Sequence, residues 1–179
     1  KMRRAQEVAL ASRPYAFKAL EMLETLLGVM KNDEFRMTNV DLPLAEQREI
    51  KNTLIVVVAS DKGLAGAFNT QVLRVSDAFL QKETGVLKAI AIGKRSIPYV
   101  MKKNMTLVES FTGFGDHATT EEIAPVSNLI VQGFLEGKWD RVVTVSMHFR
   151  STLKQTPLVR QILPLDLDKI HETVSEIVP

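Results

Sequence analysis

Two glycines, Gly63 and Gly66, sit in the stretch SDKGLAGAFN at residues 60–69, between a run of β-branched residues and the start of a helical pattern. A glycine-rich passage from strand to helix can offer backbone N–H groups and the positive end of a helix dipole to a phosphate. The spelling here does not meet that chemistry. A phosphate loop needs GxxxxGK[ST], whereas Gly66 is followed by Ala67 and Phe68; a dinucleotide fingerprint needs GxGxxG, and the two glycines are wrongly spaced for it. Asp61, Gly63 and Gly66 are therefore read as a structural turn: an aspartate of the turn or cap, and glycines that let the chain bend tightly and approach its neighbours. A nucleotide-binding module or enzyme built on residues 60–69 is the alternative.

The remaining reactive side chains are scattered. Ser60 ends the run of apolar residues, where open α/β sheets keep functional groups, but no GxSxG surrounds it. His117, His148 and His171 have no partner at helical spacing, so they read as surface or structural histidines and not as metal ligands. Glu121 and Glu122 fall in the first turn of an expected helix, where negative charge complements the dipole. After the second expected strand a ribose-binding acid would be wanted, and Gly93, Lys94 and Arg95 stand there instead. With no cysteine in the chain, thiol catalysis, thiolate metal sites and disulfides are excluded. The reading expects no catalytic residue, no cofactor and no metal site.

The elements that would hold these residues follow from periodicity. Leu54, Ile55, Val56, Val57, Val58 and Ala59 do not alternate, which predicts a strand covered on both faces, the hub of a parallel sheet. Helical spacing over 69–82, a strand at 87–92, a helix at 94–103 bearing Pro98 and a strand at 106–111 give the strand–helix–strand rhythm of right-handed crossovers. Thr119 or Thr120 caps a helix over 121–136, with Glu122 completing a capping box on Thr119. A fourth strand is expected at 141–149, and residues 151–165 carry an alternating Leu158, Arg160, Ile162 pattern that suits an antiparallel edge strand. The fold class is α/β: a Rossmann-like, mostly parallel sheet of about five strands with flanking helices.

Ahead of this domain the chain has a different character. Met2, Ala5, Ala9, Ser12, Ala16, Ala19, Leu23, Leu26 and Met30 recur at three-four spacing, a heptad seam whose first half is too small to stabilise a helix without a partner. Pro14 lies away from the seam and should bend the helix. The first twenty residues carry Lys1, Arg3, Arg4, Arg13 and Lys18 against Glu7 alone, while the whole chain of 179 residues has a formal charge of only +2. A basic end favours an acidic neighbour, and the small overall charge gives no indication of nucleic-acid binding. No apolar run approaches the ~20 residues that span a bilayer, so any membrane link is expected to pass through a partner. The expected organisation is a coiled-coil helix over 1–30, a linker over 31–52, the α/β domain over 53–165, and a tail of uncertain structure over 166–179. The opening on Lys1, already in helical pattern, reads as a fragment or processed product.

Four ordered motifs carry a family likeness: KMRRAQEVALASRPY at 1–15, SDKGLAGAFN at 60–69, GDHATTEEIAP at 115–125 and FRSTLKQTPLVRQILPL at 149–165. Together they closely resemble the gamma subunit of the F-type rotary ATP synthase, over nearly the whole chain. The family's turn usually has a cysteine where Ala65 stands. It also has more helix before Lys1 and a long C-terminal helix that pairs with the N-terminal one. The resemblance implies a non-catalytic central-stalk rotor that couples proton flow through the membrane ring to ATP synthesis or hydrolysis by rotation. Implied partners are the alpha and beta subunits, the epsilon subunit and the ring of c subunits. The implied location is peripheral, on the cytoplasmic face of a bacterial inner membrane or the equivalent organelle face. Lys1, Met2, Arg3, Arg4, Ala5, Ala9, Ser12 and Ala16 would be the partner contacts.

Overall fold

The computed structural model describes residues 42–63, 65–114, 118–149 and 154–166, together with Lys18, Met22 and Ser151. Lys18 and Met22 are helical and exposed. The expected contact residues Lys1, Met2, Arg3, Arg4, Ala5, Ala9, Ser12 and Ala16, the proposed bend at Pro14, the tail from residue 167, and His117 and His171 lie outside the described residues.

The strands are β1 (Asn52–Val58), β2 (Val86–Ile92), β3 (Thr106–Phe111), β4 (Arg141–Phe149) and β5 (Gln155–Leu163); the helices are α1 (Phe68–Leu80), α2 (Ser96–Lys102) and α3 (Thr120–Leu135). The sheet order is β3-β2-β1-β4-β5, which puts the non-alternating strand in the middle. β1 pairs in parallel with both β2 and β4, β2 with β3, and only β5 runs antiparallel, at the edge. The expected mostly parallel α/β sheet, including its antiparallel edge strand, is the fold observed.

Because successive side chains of a strand point to opposite faces, β1 feeds two cores. Ile55 and Val57 join Val72 of α1, Val100 of α2, and Val143 and Val145 of β4. Leu54 and Val56 join Val126, Ile130 and Phe134 of α3 and Trp139. All four β1 side chains are buried, each contributing about 1.5–3 kcal/mol over exposure. Trp139 packs so closely on α3 that a Cβ at Gly133 would lie 1.9 Å from its Cζ2, and its Nε1 donates to the Ile130 carbonyl at 3.0 Å. No described helix is long and apolar enough to cross a membrane.

From residue 42 the segment expected as a linker lies on the domain. Leu44 packs against the α3-side core, and its carbonyl accepts the Leu165 N–H at 2.7 Å. Arg48 donates from Nη1 to the Phe134 carbonyl at 2.8 Å, with its guanidinium 4.7 Å over the Phe134 ring. At the amino end of the sheet, Asp140 Oδ2 accepts the backbone N–H groups of Lys51 and Asn52 at 3.0 and 2.8 Å, fastening β4 to the start of β1. Burial pushes the Asp140 carboxyl up. The hydrogen bonds from Asn52 and Lys51, with the nearby charge of Arg48, outweigh that and leave it below its ordinary value.

Candidate functional site

The carboxyl ends of β1, β2 and β3 meet at one edge of the domain, where an open α/β sheet would place a ligand. A cleft of about 760 Å³ opens there, walled by Val58, Ile92, Phe114, Ile123 and Val126 and floored by Ser60, Asp61 and Lys62. Two of its polar lining residues, Ser60 and Asp61, bond to the chain itself. Asp61 Oδ1 accepts the Lys94 N–H and Oδ2 accepts the Gly113 N–H, both at 2.9 Å. One carboxylate thus joins the turn after β1 to the turns after β2 and β3.

The rest of the turn is equally self-contained. Asn69, in the first turn of α1, reaches back to Ser60: the Ser60 N–H donates to Oδ1 at 3.0 Å, and Nδ2 donates to the Ser60 hydroxyl at 2.9 Å. That hydroxyl in turn donates to the Lys62 carbonyl at 2.6 Å. Ser60 is therefore a brace between strand and helix, its hydroxyl within donating distance of the Lys62 carbonyl and of Asn69 Oδ1. Gly66 has φ +55°, a conformation that a side chain adopts only with strain. At Gly63, a Cβ would stand 2.5 Å from Nη2 of Arg95, so the glycine leaves room for that guanidinium.

Sequence reasoning singled out Asp61, Gly63 and Gly66, and the structure brings them together with residues it had not singled out. Gly93 is the tightest point of the edge. Its φ is +85°, a Cβ there would lie 2.0 Å from the Ala59 carbonyl oxygen, and its N–H donates to the Phe111 carbonyl at 2.8 Å. The visible signal was a glycine directly after a predicted strand. Asp61's partners gave no signal at all, because a backbone N–H has no residue type. His148 lies near the carboxyl end of β4, which runs parallel to β1; it is half-buried, engaged in an interaction, and not among the residues that line the cleft.

Nor does α3 present a free anion site to the cleft. Thr119 accepts the Glu122 N–H at 3.3 Å and Glu122 Oε2 accepts the Thr119 N–H at 2.8 Å, which is the expected capping box. Glu121 and Glu122 add negative charge to the first turn. A phosphate approaching this end meets two carboxylates, which repel it. Among the described residues, no three His, Asp or Glu side chains gather closely enough to hold a metal ion.

Fold and site together define an α/β domain with a mostly parallel sheet, whose carboxyl-end loops are cross-linked by their own side chains beneath an open cleft. A family model described as ATP synthase matches residues 1–178, and the chain belongs to that family. The ATP synthase gamma chain of Synechococcus sp. (strain CC9311) is 32% identical over 180 residues, covering 99% of this chain and 55% of that one. The gamma chain of Roseiflexus sp. (strain RS-1) is 32% identical over 169 residues, covering 93% and 57%. The chain spans about half the length of the curated relatives it matches. In structure it is similar to a chain of the Tetrahymena thermophila mitochondrial ATP synthase central stalk and c-ring, with TM-score 0.56 and 18% identity over 92% of this chain and 78% of that one. A chain of the Euglena gracilis mitochondrial ATP synthase rotor gives TM-score 0.51 and 15% identity over 98% and 66%. These two likenesses carry the fold.

Proposed function

We propose that this chain is part of the central-stalk rotor of a rotary ATP synthase, a subunit that transmits torque and performs no chemistry of its own. The observation that carries the reading is the occupied ligand edge. In a chain of the ATP synthase family, Asp61, Asn69 and the α3 capping box use the groups that a nucleotide would need. The heptad seam of residues 1–30 supports the same reading, since a seam of small residues requires a second helix against it. In this reading the shaft turns within alternating alpha and beta subunits, changing the affinities of the catalytic sites in turn, while the α/β domain meets the epsilon subunit and the proton-carrying ring of c subunits. Met2, Ala5, Ala9, Ser12 and Ala16 face the second helix of the coiled coil, and Lys1, Arg3 and Arg4 face acidic segments of the beta subunits. The assembly holds the domain at the membrane, on the cytoplasmic face in a bacterium, without insertion of this chain.

The test is made in the assembled enzyme. Reversing Lys1, Arg3 and Arg4 to glutamate together is expected to weaken assembly or ATP-driven rotation and to alter its salt dependence; wild-type behaviour in both would remove the proposed contact. Calorimetric titration of the purified chain with ATP and NAD separates the rotor from the nucleotide-binding alternative. Micromolar binding, abolished in Asp61→Ala or Gly66→Val, would establish the alternative.

A further inference from the structure

From residue 84 to residue 108 the chain contains no acidic residue and five cations: Lys88, Lys94, Arg95, Lys102 and Lys103. Two of them are used internally. Lys88 donates to the Lys138 carbonyl at 2.7 Å, and Lys103 pairs with Asp77 of α1 at 2.7 Å. Lys94, Arg95 and Lys102 remain, all exposed, and among the described residues none has a carboxylate within ion-pair distance.

Helical geometry collects them on one side. At about 100° per residue, Lys94, Arg95, Pro98, Met101 and Lys102 fall within one outward arc of α2 and the turn leading into it, while Ser96, Tyr99 and Val100 face the domain and are buried. Met101 is 63% exposed, although it lies between cations on a soluble surface. Lys94 and Arg95 also stand at the amino end of the helix, where the dipole disfavours positive charge. Local helix stability therefore does not account for their placement.

The face is rigid. Tyr99 donates from its hydroxyl to Asp77 Oδ1 at 2.6 Å beneath it, the Lys94 backbone is fastened to Asp61, and the Arg95 guanidinium lies against Gly63. A backbone held in this way needs no rearrangement on docking, so the ordering cost falls on the exposed side chains alone.

We infer that the outward face of α2, with Lys94, Arg95 and Lys102 around Pro98 and Met101, docks an acidic protein surface: a patch of carboxylates around an apolar centre on another subunit. A small apolar centre ringed by charge is the anatomy of a protein interface. A helix of seven residues with no exposed aromatic ring is too small to lie in a bilayer surface. The inference rests on the rotor reading only in taking the partner from the same assembly.

Zero-length carbodiimide coupling in the assembled ATP synthase, followed by mass spectrometry, tests it. Lys94 or Lys102 is expected to couple to an Asp or Glu of another subunit, less so at high salt. The triple variant Lys94→Glu, Arg95→Glu, Lys102→Glu, with an unchanged melting curve, is expected to lose this face's contact and to slow association about tenfold at low salt. Couplings confined to this chain, or a triple variant that associates as the wild type does, would overturn the inference while leaving the rotor reading intact. Failure of the chain to copurify with alpha and beta subunits would overturn the rotor reading instead. Sedimentation of the chain with phosphatidylglycerol vesicles, lost in the triple variant, would replace the protein partner by a lipid surface.

Discussion

Asp61 and Gly113 are separated by 52 positions in the chain, yet the carboxylate of one accepts the backbone N–H of the other at 2.9 Å. With the second oxygen on the Lys94 N–H, a single side chain holds three loops that would otherwise diverge from the ends of their strands. This clamp gives Asp61 a structural role at the floor of the cleft.

Asp61→Asn keeps one acceptor oxygen and loses the charge that strengthens both bonds. Breaking one of these exposed bonds costs about 0.5–1.5 kcal/mol. Urea unfolding followed by circular dichroism should show a lowered midpoint with unchanged slope, and Asp61→Ala should lower it further. An unchanged midpoint in both would mean that the clamp carries no stability.

The two glycines of the ligand edge should respond differently to alanine. At Gly66 only the positive φ opposes a side chain, with nothing within 4 Å of the added Cβ, and the substitution should cost about 1–2 kcal/mol. At Gly93 the same φ penalty is joined by a Cβ lying 2.0 Å from the Ala59 carbonyl oxygen, which forces β1 and β2 apart. Thermal melts should rank Gly93→Ala well below Gly66→Ala, and equal melting temperatures would contradict the close approach.

Gly133→Ala places a methyl group inside the ring of Trp139. Overpacking of this kind costs about 1–3 kcal/mol. Because Trp139 is the chain's single tryptophan, its fluorescence reports the site directly, and the emission maximum should move to longer wavelength as the indole is displaced towards water. An unshifted spectrum and an unchanged melt would show that α3 yields without strain.

Two carboxylates, Asp77 and Asp140, contribute to the acid limb of stability. For Asp77, burial pushes the carboxyl up, but hydrogen bonds from Lys103 and Tyr99 and the charges of Lys103 and Lys102 prevail and hold it low; Asp140 is held low by the backbone of Asn52 and Lys51. A carboxyl depressed in the folded state binds fewer protons there than when unfolded, so its contribution is complete above the unfolded value, roughly pH 4, and is lost as pH falls through the folded value. Asp140→Asn should therefore flatten the fall in unfolding free energy below about pH 4. If the acid limb of the variant runs parallel to that of the wild type, Asp140 is not part of it.

Tyr99 is held in the opposite sense: burial first, then its bond to Asp77, push the hydroxyl well above its ordinary value. Tyr99→Phe should cost about 1.5–3 kcal/mol, the worth of a hydrogen bond to a charged group. The urea midpoint measures the loss, and a variant as stable as the wild type would assign the holding of α2 to Lys103 alone.

Much of this domain was legible as one-dimensional pattern. Six apolar residues without alternation at 54–59 announced a strand buried on both faces, because period-two exposure is what a solvent-facing strand must show. The edge strand was less legible: Leu158, Arg160 and Ile162 share one face of β5, and the strand is half-buried along most of its length. Thr119 and Glu122 were readable as a cap because the capping box is a local bond between residues three apart, needing no other part of the chain. The absent phosphate-loop residues were equally local. What only the tertiary structure decided were contacts between distant positions whose partners carry no sequence signature. The backbone amides on Asp61 and Asp140, the Ala59 carbonyl against Gly93, the space that Gly133 leaves for Trp139, and the Phe134 ring under Arg48 are of this kind. A backbone amide has the same spelling at every residue. Which amide a carboxylate meets is set by how five strands come into register around β1, and no local pattern contains that register.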